Sequence, residues 1–274
     1  MTDEELVQAA RADDRAALEE LVTRIQTRIY NLAVRMLWHP ADAEDATQEI
    51  LIKIVTHFGD FRGESRFNTW AWRIAVNHLL TTRKRRAEQQ ALSFDEFADN
   101  LDRNGSDDAL AVPDNVDEGL LLEEVKVGCM QGMLLCLSRE ERAAYVLGEI
   151  FSVTDKAGAK IFNITPAAYR KRLSRAREAI RNFIQSNCGL ANPANPCRCR
   201  RQVQAAIEGK RLDPEHLLFA RNGEDPVVLR GIREMDELSR AAALYRTHPT
   251  YQAPDTFRRA LRELLNSGRL SFLN

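Results

Sequence analysis

Apolar residues recur at intervals of three and four along most of the chain, and this spacing limits the fold more than any other feature. Leu18, Leu21, Val22, Ile25, Ile29, Leu32, Ala33 and Met36 share one side of an α-helix, which the His39-Pro40 step should end. Asp42 is the expected N-cap of a second helix. Its buried stripe is the four-residue row Ala46, Ile50, Ile54 and Phe58, closed by the Gly59-Asp60 turn. A third helix is expected from about Ser65 to Arg86. No stretch alternates apolar and polar residues as a half-buried strand would, so the expected fold class is all-α.

After Arg86 the periodicity collapses, and residues 87–117 are rich in Asp, Asn, Ser and Gly, as a flexible acidic linker would be. Helical signals return near Glu118 and run to about Gln185. Ser138 and Glu141 form a capping-box pair, and Thr165-Pro166 places a good N-cap before a proline at the first helical position. Between them a short helix is expected from about Thr154 to Phe162. It should end at Asn163, a residue that tolerates the left-handed turn between two helices. The expected units are residues 1–88, a linker at 89–117, residues 118–185, and an extension at 186–274.

A chain of 274 residues has room for two or three small domains. No apolar run approaches the roughly 18 residues that a membrane span needs, and Met1-Thr2-Asp3-Glu4-Glu5 is acidic where a secretory leader is basic. The expected setting is the cytoplasm, without membrane contact, where five cysteines act as thiols or metal ligands. The net charge of -1 conceals a strong segregation. Arg62 to Arg86 holds seven cations and one acid, and Arg170 to Arg181 six and one, while Asp95 to Glu124 holds eleven acids and one arginine. Phosphate attraction follows the local potential, so the two basic islands matter more than the total.

A short helix, a tight turn, and a longer helix carrying Arg170, Lys171, Arg172, Arg175, Arg177 and Arg181 make the pattern of a helix-turn-helix DNA reader. Tyr169, Leu173, Ala176 and Ile180 form its apolar face and leave the guanidinium groups outside, able to bond phosphates or guanine edges. A solvated basic helix is the bland alternative, and composition alone does not separate the two. The first island adds context. Phe61, Phe67, Trp70 and Trp72 interleave with Arg62, Arg66 and Arg73, the combination that single-stranded DNA binding uses, although core packing accounts for any one ring, Trp72 above all.

Asp42-Ala-Glu-Asp-Ala-Thr-Gln-Glu-Ile-Leu51 and Phe61-Arg-Gly-Glu-Ser-Arg-Phe-Asn-Thr-Trp-Ala-Trp-Arg-Ile-Ala-Val-Asn77 resemble region two of extracytoplasmic-function sigma factors. Leu137-Ser-Arg-Glu-Glu-Arg142 and the stretch from Thr165 to Ile180 resemble region four. The resemblance covers about residues 3–185 and implies core RNA polymerase and promoter DNA as partners, with an anti-sigma factor as a further one that the sequence does not name. It implies that Asp42, Asp45, Gln48 and Glu49 dock the polymerase clamp. It further implies that Phe61, Arg62, Phe67, Asn68, Trp70, Arg73 and Asn77 open and hold the minus-ten element. Thr165, Arg170, Lys171, Arg172, Arg175 and Arg177 would bind the minus-thirty-five duplex, and the acidic linker would run toward the polymerase cleft. Two positions depart from the family pattern. Gly158 stands where an aliphatic residue is usual and Asn163 where Gly is common, each weakening the local helix by up to about 1 kcal/mol.

The extension is expected to hold helices at Asp213-Pro214, from about Pro226 to Tyr245, and from Pro254 to Leu265. It opens with Cys188, Cys197 and Cys199 on a Pro-rich loop, a set that binds zinc if His216, Cys136 or another residue supplies a fourth ligand. No cofactor is required by the resemblance. Cys129 and Cys136 are expected in the core, and the extension is expected to regulate the factor in cis. No nucleophile-base pair, phosphate-binding glycine loop or paired metal motif marks an enzyme. A helix-turn-helix regulator independent of polymerase is the alternative, and it leaves residues 61–86 without a purpose.

Overall fold

The computed structural model describes residues 1–82, 92–105, 117–220 and 250–266. Among them the regular structure is helical, with one isolated bridge between Cys188 and Cys197 and no strand. Helix α1, Asp3–Arg11, opens on a reciprocal capping box between Thr2 and Glu5. Helix α2, Arg15–Leu37, is the long helix expected from its periodicity; Asp14 caps it by accepting from the N–H groups of Ala16 and Ala17.

The next boundary differs from expectation. Helix α3, Pro40–Thr56, starts on the proline itself, whose φ suits the first helical position, so His39 and not Asp42 is the N-cap. Asp42 falls in the first turn, where a carboxylate faces the positive end of the helix. Helix α4, Phe67–Thr81, begins later than Ser65 because Ser65 and Arg66 still belong to the preceding loop. Thr82 is its C-cap; Arg83 to Arg86 lie outside the described residues.

The linker contains a helix that its composition hid. Ser93 and Glu96 cap each other, and α5, Phe94–Asn104, lays Phe94 and Phe97 on Phe183 at ring distances of 5.4 Å each. A sparse apolar row among acids is enough once a neighbouring helix covers it. Helix α6, Glu118–Cys136, leads to α7, Arg139–Tyr145, and a π turn at Val146–Ile150. Helices α8, Asp155–Phe162, and α9, Pro166–Asn187, follow as expected, with Asn163 left-handed at φ 53 and ψ 47.

In the extension, α10, Cys199–Glu208, was not expected, and the expected helix at Asp213-Pro214 is a turn closed by the His216 N–H to the Asp213 carbonyl at 3.1 Å. Helix α11, Thr256–Asn266, is present, whereas the run from Pro226 to Tyr245 lies outside the described residues.

The units expected from sequence share one apolar core, which runs from α1–α4 through α6, α7 and α9 to Phe257, Leu261 and Leu265 of α11. Each large buried side chain contributes about 1.5–3 kcal/mol, so this continuity holds the parts together. Arg142 reinforces the seam. Its buried guanidinium donates to the Leu134, Leu135 and Leu137 carbonyls at 2.9, 3.3 and 3.2 Å, and across to the Met36 carbonyl of α2. Free carbonyls at the ends of two helices are thereby satisfied by one cation.

Candidate nucleic-acid interface

Helices α8 and α9 are joined by the left-handed Asn163 and restarted by Thr165, whose hydroxyl accepts from the Ala168 N–H at 3.2 Å. Tyr169, Leu173, Ala176 and Ile180 are buried, which turns Arg170, Lys171, Arg175 and Arg177 to solvent. Arg172 is half-buried, its guanidinium 5.0 Å from the centre of the Phe162 ring, a cation–π contact that presets the plane of the group. Arg177 is committed to Glu149 at 2.7 Å, and Arg170 lies 3.8 Å from Asp155. Gly158 has a packing reason. A Cβ there would stand 2.3 Å from the Tyr169 ring, so glycine allows the two helices to close and the Tyr169 hydroxyl to reach the Ala144 carbonyl at 3.4 Å.

The loop before α4 is built differently. Phe61, Phe67 and Trp70 form a triangle of rings with centroid distances of 5.9, 5.3 and 5.8 Å, backed by Phe58. They are only 5%, 4% and 6% exposed, so the expectation that their faces offer stacking platforms is not met in this arrangement. Packing against one another withdraws more ring surface from water than an open loop would. Arg62, Arg66, Arg73 and Asn77 face outward; half-buried Asn68 donates to Asp3 at 3.0 Å. Gly63 makes the loop's turn at φ 77. A groove of about 630 Å³ runs between α1 and the loop, past Arg11, Arg66 and Asn68. Another, of about 460 Å³, lies between Arg62, Thr69 and Arg73 on one side and Lys160 and Asn163 on the other.

The two surfaces therefore touch. The Lys160 ammonium donates to the Glu64 carbonyl at 3.3 Å, Trp72 packs on Phe151 with ring centroids 5.3 Å apart and tilted by 34°, and Arg139 bonds the Leu80 carbonyl at 3.1 Å and that of Thr82.

A match to the family described as Sigma-70 region 2 spans residues 21–89. The RNA polymerase sigma-H factor of Pseudomonas aeruginosa is 30% identical over 188 residues, covering 67% of this chain and 94% of that protein. The ECF RNA polymerase sigma-E factor of Escherichia coli is 31% identical over 188 residues, covering 68% of this chain and 95% of that protein. The chain belongs to the extracytoplasmic-function sigma factors. Such a factor binds core RNA polymerase, directs it to promoters and helps open the DNA, and the reading as a regulator independent of polymerase is not favoured.

In this sigma factor Asp45, Gln48 and Glu49 are exposed on α3 and Asp42 half-buried, with Glu49 3.6 Å from His78. One neighbour on that face escaped the sequence reading. Ile52 is 41% exposed, three, four and seven residues from Glu49, Gln48 and Asp45. Its signal was there: an isoleucine out of phase with the buried row Ala46, Ile50 and Ile54.

The extension is anchored by three buried polar residues of the sigma body, also unnoticed in the sequence. Asn31 donates to the Tyr251 carbonyl at 2.7 Å and accepts its N–H at 3.0 Å. Arg35 donates to Asn31 and lies between the rings of Phe151 and Tyr251, at 5.8 and 5.4 Å; burial pulls its pKa down. The Glu124 carboxylate accepts the N–H groups of Leu218, Phe219 and Ala220 at 3.0, 2.9 and 2.7 Å. A buried Asn, Arg or Glu on an otherwise apolar helix face marks a partner elsewhere in the chain.

Cys188 and Cys197 face each other across the isolated bridge, with Cys199 nearby and Cys129 of α6 opposite. Burial, then the neighbouring thiols, pushes Cys129 up, and burial pushes Cys199 up to about 12. His216 and Cys136 do not line that cavity; His216 pairs with Asp213 at 3.2 Å. Among the described residues no three His, Cys, Asp or Glu side chains are arranged to hold a metal ion as placed, and no helix is long and apolar enough to cross a membrane.

Proposed function

We propose that this arrangement is the closed form of the sigma factor, in which the minus-ten and minus-thirty-five surfaces restrain each other and the extension holds them together. The carrying observation is the contact of Lys160, at the end of α8, with the backbone of Glu64 inside the loop that would receive melted DNA. Lys160 and Asn163 form the opposite wall of the groove that Arg62 and Arg73 line, so a strand entering it would share the space with the end of α8. In the open form Arg62, Arg66, Asn68, Arg73 and Asn77 hold the displaced strand. The triangle of Phe61, Phe67 and Trp70 then parts to admit bases. Arg170, Lys171, Arg172 and Arg175 read the duplex, with Thr165 and Arg177 on phosphates.

Asp42, Asp45, Gln48 and Glu49, with Ile52 as the apolar centre, dock core polymerase. The factor has no chemistry of its own and works in the cytoplasm beside polymerase. The extension then does in cis what an anti-sigma partner does in trans.

Run-off transcription with core polymerase tests this. The full chain should initiate specifically from a promoter selected out of a random pool, and Arg139→Ala, which loosens the seam, should initiate faster. If neither protein confers specific initiation, the functional reading fails; equal rates would remove the closed form while leaving the sigma activity intact.

A further inference from the structure

We propose that the cavity where α6 meets the end of α9 and the start of the extension binds one thiophilic d10 cation, of the Zn²⁺ or Cu⁺ type, through Cys129, Cys188, Cys197 and Cys199. Four of the chain's five cysteines line this one cavity of about 30 Å³, together with the Met133 thioether and Gln202. The volume exceeds the roughly 10–15 Å³ that a single water-sized occupant needs. The four residues come from two distant stretches of sequence, so their meeting is a product of the fold and not of local spacing.

The loop that presents three of them is fastened. The Gly189 N–H bonds the Cys197 carbonyl at 3.2 Å, Asn195 donates to the Gln185 carbonyl at 2.8 Å, and Arg198 donates to the Pro193 carbonyl at 2.9 Å. No carboxylate or histidine joins the lining, and a sulfur set of this kind selects soft d10 ions over Mg²⁺ or Ca²⁺.

The sulfurs do not converge as placed, so occupancy requires cysteine side chains to turn between staggered χ1 wells, which moves each sulfur while the backbone stays fixed. Each bound sulfur exchanges its proton, released to solvent, for a bond to the ion. Around Zn²⁺, four thiolates leave no open coordination position, so the ion is structural. It clips the first helix of region four to the extension, whether or not the closed form described above is correct.

The test uses the full chain, purified reduced and stripped with a chelator. Zn²⁺ is titrated against a chromophoric chelator and Cu⁺ against a Cu⁺-specific one, while a thiol reagent counts reactive cysteines. The expected result is about one equivalent of at least one of these ions, with four of the five thiols protected. Cys129→Ser and Cys188→Ser should each lower affinity by at least about tenfold. Cys136→Ser, outside the cavity, should bind as the parent does. Binding of neither ion, an unchanged thiol count on loading, or equal losses in all three variants would overturn the proposal. Because thiol protection is read on the unaltered chain, misfolding of a variant does not shelter it.

Discussion

The candidate DNA-binding helix α9 shows most of its cations to solvent, whereas the candidate surface around the loop before α4 turns its three aromatic rings inward and leaves its cations outside. Arg170, Arg175 and Arg177 of α9 stand outside a helix whose opposite face, Tyr169, Leu173, Ala176 and Ile180, is buried. Phe61 of the loop before α4 packs on Phe67 and Trp70 of the helix itself, and the three rings form a small core there. The difference suits the partner proposed above for each surface. A duplex groove presents phosphates and base edges to a rigid probe, so a preformed cationic helix suffices. A melted strand offers flat bases that need apolar pockets, and apolar pockets without an occupant collapse on themselves. Substitutions in region two should therefore change stability and function together, while those on α9 should separate them.

The largest effect is expected from Trp70→Ala. Removing a ring that is 6% exposed should lower unfolding free energy by about 3–5 kcal/mol in urea titrations, besides slowing strand opening. Arg73→Ala beside it, on an exposed position, should slow opening with the unfolding midpoint unchanged. If Trp70→Ala left stability intact, the ring would be a free platform and the contrast between the regions would vanish.

A smaller loss is expected where the reader is packed against its own scaffold. Gly158→Ala places a methyl group within 2.3 Å of the Tyr169 ring and should cost about 1–3 kcal/mol through overpacking. Because the strain falls on the contact between α8 and α9, duplex affinity should drop while permanganate reactivity of a pre-melted minus-ten template stays unchanged. Equal losses in both assays would mean that the regions move as one body.

The architecture was legible wherever the pattern was local. Leu18 to Met36, the Asn163 turn and the Thr165-Pro166 start are written in spacing and capping chemistry, and each formed its element. The pattern failed where long-range packing decides. Acidic composition hid α5, whose Phe94 and Phe97 make sense only beside Phe183. Gly158 read as a weak helix former until Tyr169 was seen against it. Asn31, Arg35 and Glu124 have partners roughly a hundred or more residues away, so nothing near them in sequence announces their task. The candidate site residues divide in the same way. The cations of α9 were legible because exposure follows from helical phase, whereas the burial of Phe61, Phe67 and Trp70 depends on three rings meeting, which spacing does not encode.

The smallest structural effect, and the sharpest functional one, belongs to the exposed cations. Arg175→Ala should leave the unfolding midpoint where it is and weaken duplex binding; if the side chain meets a phosphate, the slope of log K against log salt should shrink by about 0.9. Arg177→Ala should behave differently although it lies on the same helix two residues away. Its guanidinium already pairs with Glu149 at 2.7 Å, so part of its charge is offset before DNA arrives. The salt slope should therefore fall less than for Arg175, and the Arg177→Ala, Glu149→Ala double variant should bind duplex more tightly than Arg177→Ala alone, because the stranded carboxylate is gone. Identical slopes for the two single variants would show that Arg177 leaves Glu149 when DNA binds, making the ion pair a latch on the reader and not a fixed part of it.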